Sequence, residues 1–141
     1  MNQQQIALVK ETWSTVAALD PLVVGDLFYN RLFTIIPEVR PMFRGDIPEQ
    51  SKKLLHMLHY VIRKLDRLDD IMDEVRKLAQ RHVGYGVQAT HYHSVGSALL
   101  WTLEQGLGEA WTEEAQEAWI ACYTLLAGAM IGASAYEVAA A

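Results

Sequence analysis

The chain has 141 residues, 51% of them apolar and 21% charged, enough for one domain with a buried core and too few for two independent folding units. Its net charge of −5 argues against a polyanion-binding module. The single cysteine, Cys122, excludes an internal disulfide framework and any multi-cysteine metal site. The charge is unevenly spread: all 12 Lys and Arg lie in residues 1–81, and the last 60 residues hold six acids and no Lys or Arg. Met1-Asn2-Gln3-Gln4-Gln5 has neither the basic start nor the apolar stretch of a secretion signal.

Helical periodicity dominates from the start. Ile6, Val9, Trp13 and Val16 share one face of a first helix. Asp20-Pro21 reads as an N-cap and first-turn proline opening a second, whose apolar residues include Val24, Leu27, Phe28, Leu32 and Phe33. Pro37 starts a short third element ending near Phe43, and Arg44-Gly45-Asp46 is a turn. Pro48 opens a fourth helix with Leu54, Leu55, Leu58, Val61, Ile62 and Leu65 on its inward face. Asp69-Asp70 sit where a next helix favours negative charge, and that helix carries Ile71, Val75, Leu78 and His82 before Gly84 and Gly86. A sixth helix is expected from about Tyr92 to Leu107, stopping at Gly108. Thr112 caps the last, with Glu113 and Glu114 in its first turn.

The last helix holds an uncharged run, Ala118 to Tyr136, rich in Ala and Gly and without flanking Lys or Arg. It reads as a helix buried on most sides rather than a membrane span. Gly128 and Gly132 within it are expected to let two backbones cross closely, while leaving a dimer face open as an alternative. The architecture is therefore all-α, about seven helices of unequal length in a single domain covering 1–141.

Few residues carry obvious chemistry. No GxSxG, P-loop or GxGxxG is present, so no catalytic set is assigned. His56 and His59 are i, i+3 and lack a HExxH context, which makes them surface or partly buried histidines. His91 and His93 bracket Tyr92 and read as a cap or surface pair. Cys122 is expected to be packed and inert. His82 differs, because Leu78 and Val75 put it on the apolar stripe of its helix. A histidine so placed is either a satisfied core residue or an axial iron ligand, with Nδ1–H bonded to a carbonyl and Nε2 toward the metal. The second choice needs a facing wall. Gln50 and Leu54, i, i+4 on the fourth helix, can supply it, with the Tyr29 hydroxyl beside Gln50 and Phe43 packed flat on a planar ligand.

Three blocks in order carry a family resemblance: Leu27-Phe28-Tyr29-Asn30-Arg31-Leu32-Phe33, Pro37-Glu38-Val39-Arg40-Pro41-Met42-Phe43, and His82 through Tyr85-Gly86-Val87 to His91-Tyr92 and Val95-Gly96. With them the chain resembles a globin, most closely single-domain bacterial haemoglobins and the haem domain of flavohaemoglobins. The resemblance implies a globin fold around haem b (iron protoporphyrin IX). It makes His82 the proximal iron ligand, Phe43 the ring stacked on the porphyrin, Tyr29 and Gln50 the distal polar pair, and Leu54 the apolar residue over the iron. Lys53 and Arg81 are implied as partners of the propionates, and Tyr92 as part of a hydrogen-bond network behind the proximal histidine.

The resemblance also implies a function: reversible binding of O₂, and of NO and CO, for oxygen transport or storage. The alternative it carries is nitric oxide dioxygenase activity with a separate reductase. No nucleic acid partner and a cytoplasmic location are expected. Two departures stand out. The network's glutamate position aligns with Ser134, with Glu137 about a turn further on. Gln50 stands where other globins place a distal histidine, so closure of the sixth iron site by histidine is not available from that position.

Overall fold

The computed structural model describes residues 1–43, 45–84 and 90–140, with side chains taken only as far as residue 132 in the last stretch. Among the described residues it is all-α. The helices are α1 (Gln3–Ala17), α2 (Pro21–Ile35), α3 (Ile47–Arg63), α4 (Met72–Gly84), α5 (His91–Leu107) and α6 (Glu113–Ala140). Short 3₁₀ segments at Pro37–Met42, Leu65–Ile71 and Gly108–Ala110 join them.

The helix starts follow from capping chemistry. Asn2 and Gln5 form a reciprocal box, each side chain bonding the other's backbone N–H, at 2.8 and 3.0 Å. Asp20 accepts from the Leu22 N–H at 2.9 Å ahead of Pro21, and Asp46 accepts from the Glu49 N–H at 2.8 Å ahead of Pro48. The Thr112 hydroxyl accepts from the Ala115 N–H at 3.1 Å, as expected for the last helix. Gly108 ends α5 with φ of +55°, a conformation that only glycine adopts without strain.

One large core joins α1, α2, α3, α5 and α6 around Val9, Trp13, Phe28, Leu32, Ile62, Leu103 and Trp119. Its polar seam is satisfied: the Trp119 indole N–H donates to the Thr12 hydroxyl at 2.8 Å, and that hydroxyl donates to the Leu8 carbonyl at 2.7 Å. No residue of α4 belongs to this core. Val75 instead joins a smaller cluster with Val61 and Ile71, against which Leu126, Ala129 and Met130 of α6 pack. The helix that carries His82 is thus held by this smaller cluster, which Met57, Leu68 and Leu126 join to the main core.

Several sequence expectations change. Asp69-Asp70 fall in a 3₁₀ segment kinked at Arg67, and α4 begins only at Met72, with Asp73 and Glu74 in its first turn. His91 is buried, not a surface residue like His93. The helix begins at His91, which puts it on the inward stripe with Val95, Ala98, Leu99 and Thr102. The helix α6 is not buried on most sides: Ile120 and Leu125 are each 43% exposed. Nor, among the described residues, do Gly128 and Gly132 serve an internal crossing, because a Cβ at either would meet none of their atoms within 4 Å. The close approaches lie elsewhere, at Gly25 against Ser51 and at Gly96 against the ring of Tyr123. No helix among the described residues is long and apolar enough to cross a membrane.

Candidate functional site

The α2–α3 crossing builds one wall. Tyr29 lies on the buried face of α2, 4% exposed, and its hydroxyl donates to the backbone carbonyl of Gln50 at 3.3 Å. That is long for an O–H···O bond, so the hydroxyl is weakly held. Burial pushes the phenol up to about 12, which keeps it protonated and able to donate across the neutral range. The Gln50 side chain is half-buried, and its amide nitrogen lies 3.2 Å from where a Cβ on Gly45 would stand. Tyr29 therefore meets the main chain of Gln50, while the amide reaches toward the turn before α3.

Aromatic rings fix this wall. The Phe43 ring, at the end of the 3₁₀ segment Pro37–Met42, packs edge-on against Tyr29 at 5.2 Å and Phe33 at 5.5 Å. Phe33 in turn stacks on Tyr29 at 5.9 Å. In the sequence Phe33 is one of the apolar residues of α2, and its i, i+4 spacing from Tyr29 is the signal for a place in this ring cluster. Leu54, one turn beyond Gln50, is half-buried and packs against the main core, and Lys53 beside it is exposed.

On α4, His82 is half-buried and its Nδ1 lies 2.8 Å from the Leu78 carbonyl. A carbonyl only accepts, so Nδ1 carries the proton and the neutral ring's lone pair is on Nε2. Burial holds the imidazole below its usual pKa, against the Leu78 hydrogen bond, which favours protonation, and with a smaller push downward from the Arg81 guanidinium. Arg81 itself is exposed.

Behind α5, the Tyr92 hydroxyl is buried and has no hydrogen-bond partner among the described residues. Its backbone carbonyl accepts from the Tyr123 hydroxyl at 2.5 Å. Tyr123 occupies the space over Gly96, where a Cβ would fall 2.6 Å from the ring. Nothing in the sequence marks Tyr123 for this place; Gly96 on the buried face of α5 is the signal that a bulky neighbour lies across from it. Tyr85, Gly86, Val87 and the side chains of Ser134 and Glu137 lie outside the described residues.

These residues fit a flat iron macrocycle. A neutral imidazole with its proton assigned to Nδ1 is the form that binds a metal through Nε2. The set offers one imidazole nitrogen, a buried phenol and an aromatic corner, a chemistry that suits haem better than a metal cage. Among the described residues no group of three or more His, Cys, Asp or Glu could hold a bare metal ion.

The chain is similar to known proteins over most of its length. Residues 26–130 match the family model described as Globin. The chain is 29% identical over 134 residues to a flavohemoprotein of Vibrio cholerae, covering 93% of this chain and 34% of that protein. It is 34% identical over 108 residues to one of Bordetella pertussis, covering 74% and 27%. The chain thus spans about a third of the flavohemoproteins it matches. A neuroglobin of Danio rerio is 24% identical over 92% of this chain and 90% of its own length. Among solved structures, a bacterial globin from Campylobacter jejuni superposes with TM-score 0.83 at 25% identity, covering 97% of this chain and 99% of that one. An engineered carbene transferase from Rhodothermus marinus, whose parent is named as a candidate nitric oxide dioxygenase, superposes with TM-score 0.85 at 28% identity over 100% and 99%.

Proposed function

The chain belongs to the globin family, and from that premise we propose that it binds haem b through His82 and uses it to bind O₂ reversibly, with NO and CO as further ligands. Haem iron supplies the coordination site at which the diatomic is held. The protein's part is to ligate, orient and shield. His82 offers Nε2, with its ring orientation set by the Leu78 carbonyl. Phe43 would stack on the macrocycle, Leu54 would help to exclude water, and the exposed Lys53 and Arg81 would offset the propionate charges. Tyr92 would belong to the hydrogen-bonded support of His82.

The observation that carries the proposal is the Tyr29 hydroxyl, buried, protonated and only loosely held at 3.3 Å by the Gln50 carbonyl. A ligand that gains negative charge on binding accepts hydrogen bonds, so a phenol that can leave a weak acceptor is free to donate to it. The Gln50 amide, which reaches toward Gly45, would add a second donor on turning back to the ligand. Reversible binding is tested by absorption spectra of the reduced protein under O₂, under CO and after O₂ removal. Full recovery of the reduced spectrum supports it, and irreversible oxidation on first exposure to O₂ contradicts it.

A second function is favoured by the flavohemoprotein matches: conversion of NO and O₂ to nitrate, with one electron per turnover from a separate reductase. The same donors would hold the O₂ while NO arrives. Nitrate formed over many turnovers with an added reductase and nicotinamide supports this activity, and a single stoichiometric burst speaks against it. Either activity is compatible with a cytoplasmic protein.

A further inference from the structure

The 3₁₀ segment Pro37–Met42 reaches the Tyr29 wall twice through one residue. The guanidinium carbon of Arg40 stands 4.9 Å from the centre of the Phe33 ring. Its backbone carbonyl accepts from the Phe43 N–H at 3.2 Å. Phe33 and Phe43 both pack on Tyr29, at 5.9 and 5.2 Å between ring centres. Arg40 therefore holds both rings, one through its side chain and the other through its main chain.

The segment that carries Arg40 is stiff. Pro37 and Pro41 fix φ at two of its positions, and Val39, 4% exposed, plugs it into the main core. Arg40 is exposed and takes part in none of the ion pairs among the described residues. A guanidinium over an aromatic ring is attracted by the negative charge of the ring face. Phe33 thus touches both a surface cation and the buried phenol ring, and Phe43 closes the cluster edge-on to each. The Tyr29 hydroxyl has only the long 3.3 Å bond to the Gln50 carbonyl, so ring packing does most to set where it points.

We propose, on the basis of the gas-binding reading above, that Arg40 is a positioning residue for the Tyr29 donor. Its cation on Phe33 and its carbonyl on Phe43 keep the phenol aimed at the diatomic ligand. A charge on the protein surface then governs how firmly the ligand is held, without touching it. Removing that charge loosens Phe33, lets the phenol drift from the ligand and speeds O₂ release.

The test uses the haem-loaded protein and two readouts, the O₂ release rate and the infrared C–O stretching band of the CO complex. A hydrogen-bond donor at the ligand's outer atom draws electron density onto it and lowers that band. Arg40→Met keeps the side-chain stem and the main-chain bond and removes only the charge. It should release O₂ about twofold faster and move the band upward, in the direction that Tyr29→Phe moves it. Arg40→Lys restores a cation and should recover part of both. In a Tyr29→Phe background Arg40→Met should add nothing, because no hydroxyl is left to aim. Arg31→Met removes the other ring-stacked arginine, 5.0 Å over Trp101, and should leave both readouts at the parent's values. The proposal is overturned if Tyr29→Phe changes release and band while Arg40→Met changes neither, if the two substitutions act additively, or if Arg31→Met gives the same shifts. If Tyr29→Phe itself changes nothing, the phenol is no donor to the ligand, and the donor reading falls together with the role of Arg40.

Discussion

Gly25 and Ser51 stand so close that a Cβ on the glycine would lie 1.9 Å from the serine Oγ. This contact sets the wall described above, because Tyr29 is one turn beyond Gly25 on α2 and Gln50 is the residue before Ser51 on α3. The serine hydroxyl turns back to the Ile47 carbonyl at 2.8 Å, so it demands no partner from α2. Gly25→Ala should force the helices apart and cost about 1–3 kcal/mol in urea unfolding. It should also speed O₂ release, by loosening the pairing of Tyr29 with Gln50. Adding Ser51→Gly should recover part of both. Equal stability of Gly25→Ala and the parent would show that α3 yields without cost.

Gly128 predicts the opposite sign. It sits inside α6, exposed, with nothing among the described residues within 4 Å of a Cβ. Gly128→Ala should raise the urea midpoint, worth about 0.5–1 kcal/mol from the restricted unfolded chain. A loss of stability, or a change in oligomeric state, would mean that this face of α6 is covered in solution.

Tyr29→Phe removes the phenol and keeps the ring, including its contacts with Phe33 and Phe43. A net hydrogen bond of about 0.5–1.5 kcal/mol corresponds to O₂ leaving roughly 2- to 10-fold faster in stopped-flow displacement by CO. The combination rate should change less. An unchanged release rate would leave donation to Gln50 alone.

Cys122 is 1% exposed, and burial pushes its thiol from 9.0 up to about 12. Since the folded pKa is raised, the stability linked to this group is intact below the unfolded value of 9.0 and is lost as the pH climbs toward 12. Tyr29, raised from 10.0 to about 12, acts in the same sense from a higher starting point. Urea stability should therefore decline from about pH 9 upward, less steeply at its onset in Cys122→Ala. At pH 8 the native thiol should react with a disulfide reagent at least about 100-fold more slowly than in denaturant. Comparable rates would place it in reach of solvent.

Much of this was legible in the sequence because it depends on local rules. Asp20-Pro21, Pro48, Thr112 and Gly108 announce helix ends through chemistry within four residues, whereas Asp46 reads as part of a turn and proves to be the cap. His82 stood out because Val75 and Leu78 put it on an apolar stripe. What escaped depends on partners distant in the chain. Both Gly25 and Gly128 are helical glycines, and only tertiary placement tells the crossing from the open face. His91 looked like its neighbour His93 until the start of α5 fixed which of them turns inward. Phe33 and Tyr123 earn their roles from Phe43 and Tyr92, ten and 31 positions away, beyond any helical period.

Everything proposed for gas binding passes through one side chain, so the most direct measurement is the absorption spectrum of the reduced protein beside that of His82→Gly, with and without added imidazole. Ligation by His82 predicts that the substitution abolishes the parent's deoxy spectrum and its CO complex, and that free imidazole restores both. A His82→Gly protein that keeps haem with the parent's spectrum, indifferent to imidazole, would contradict it.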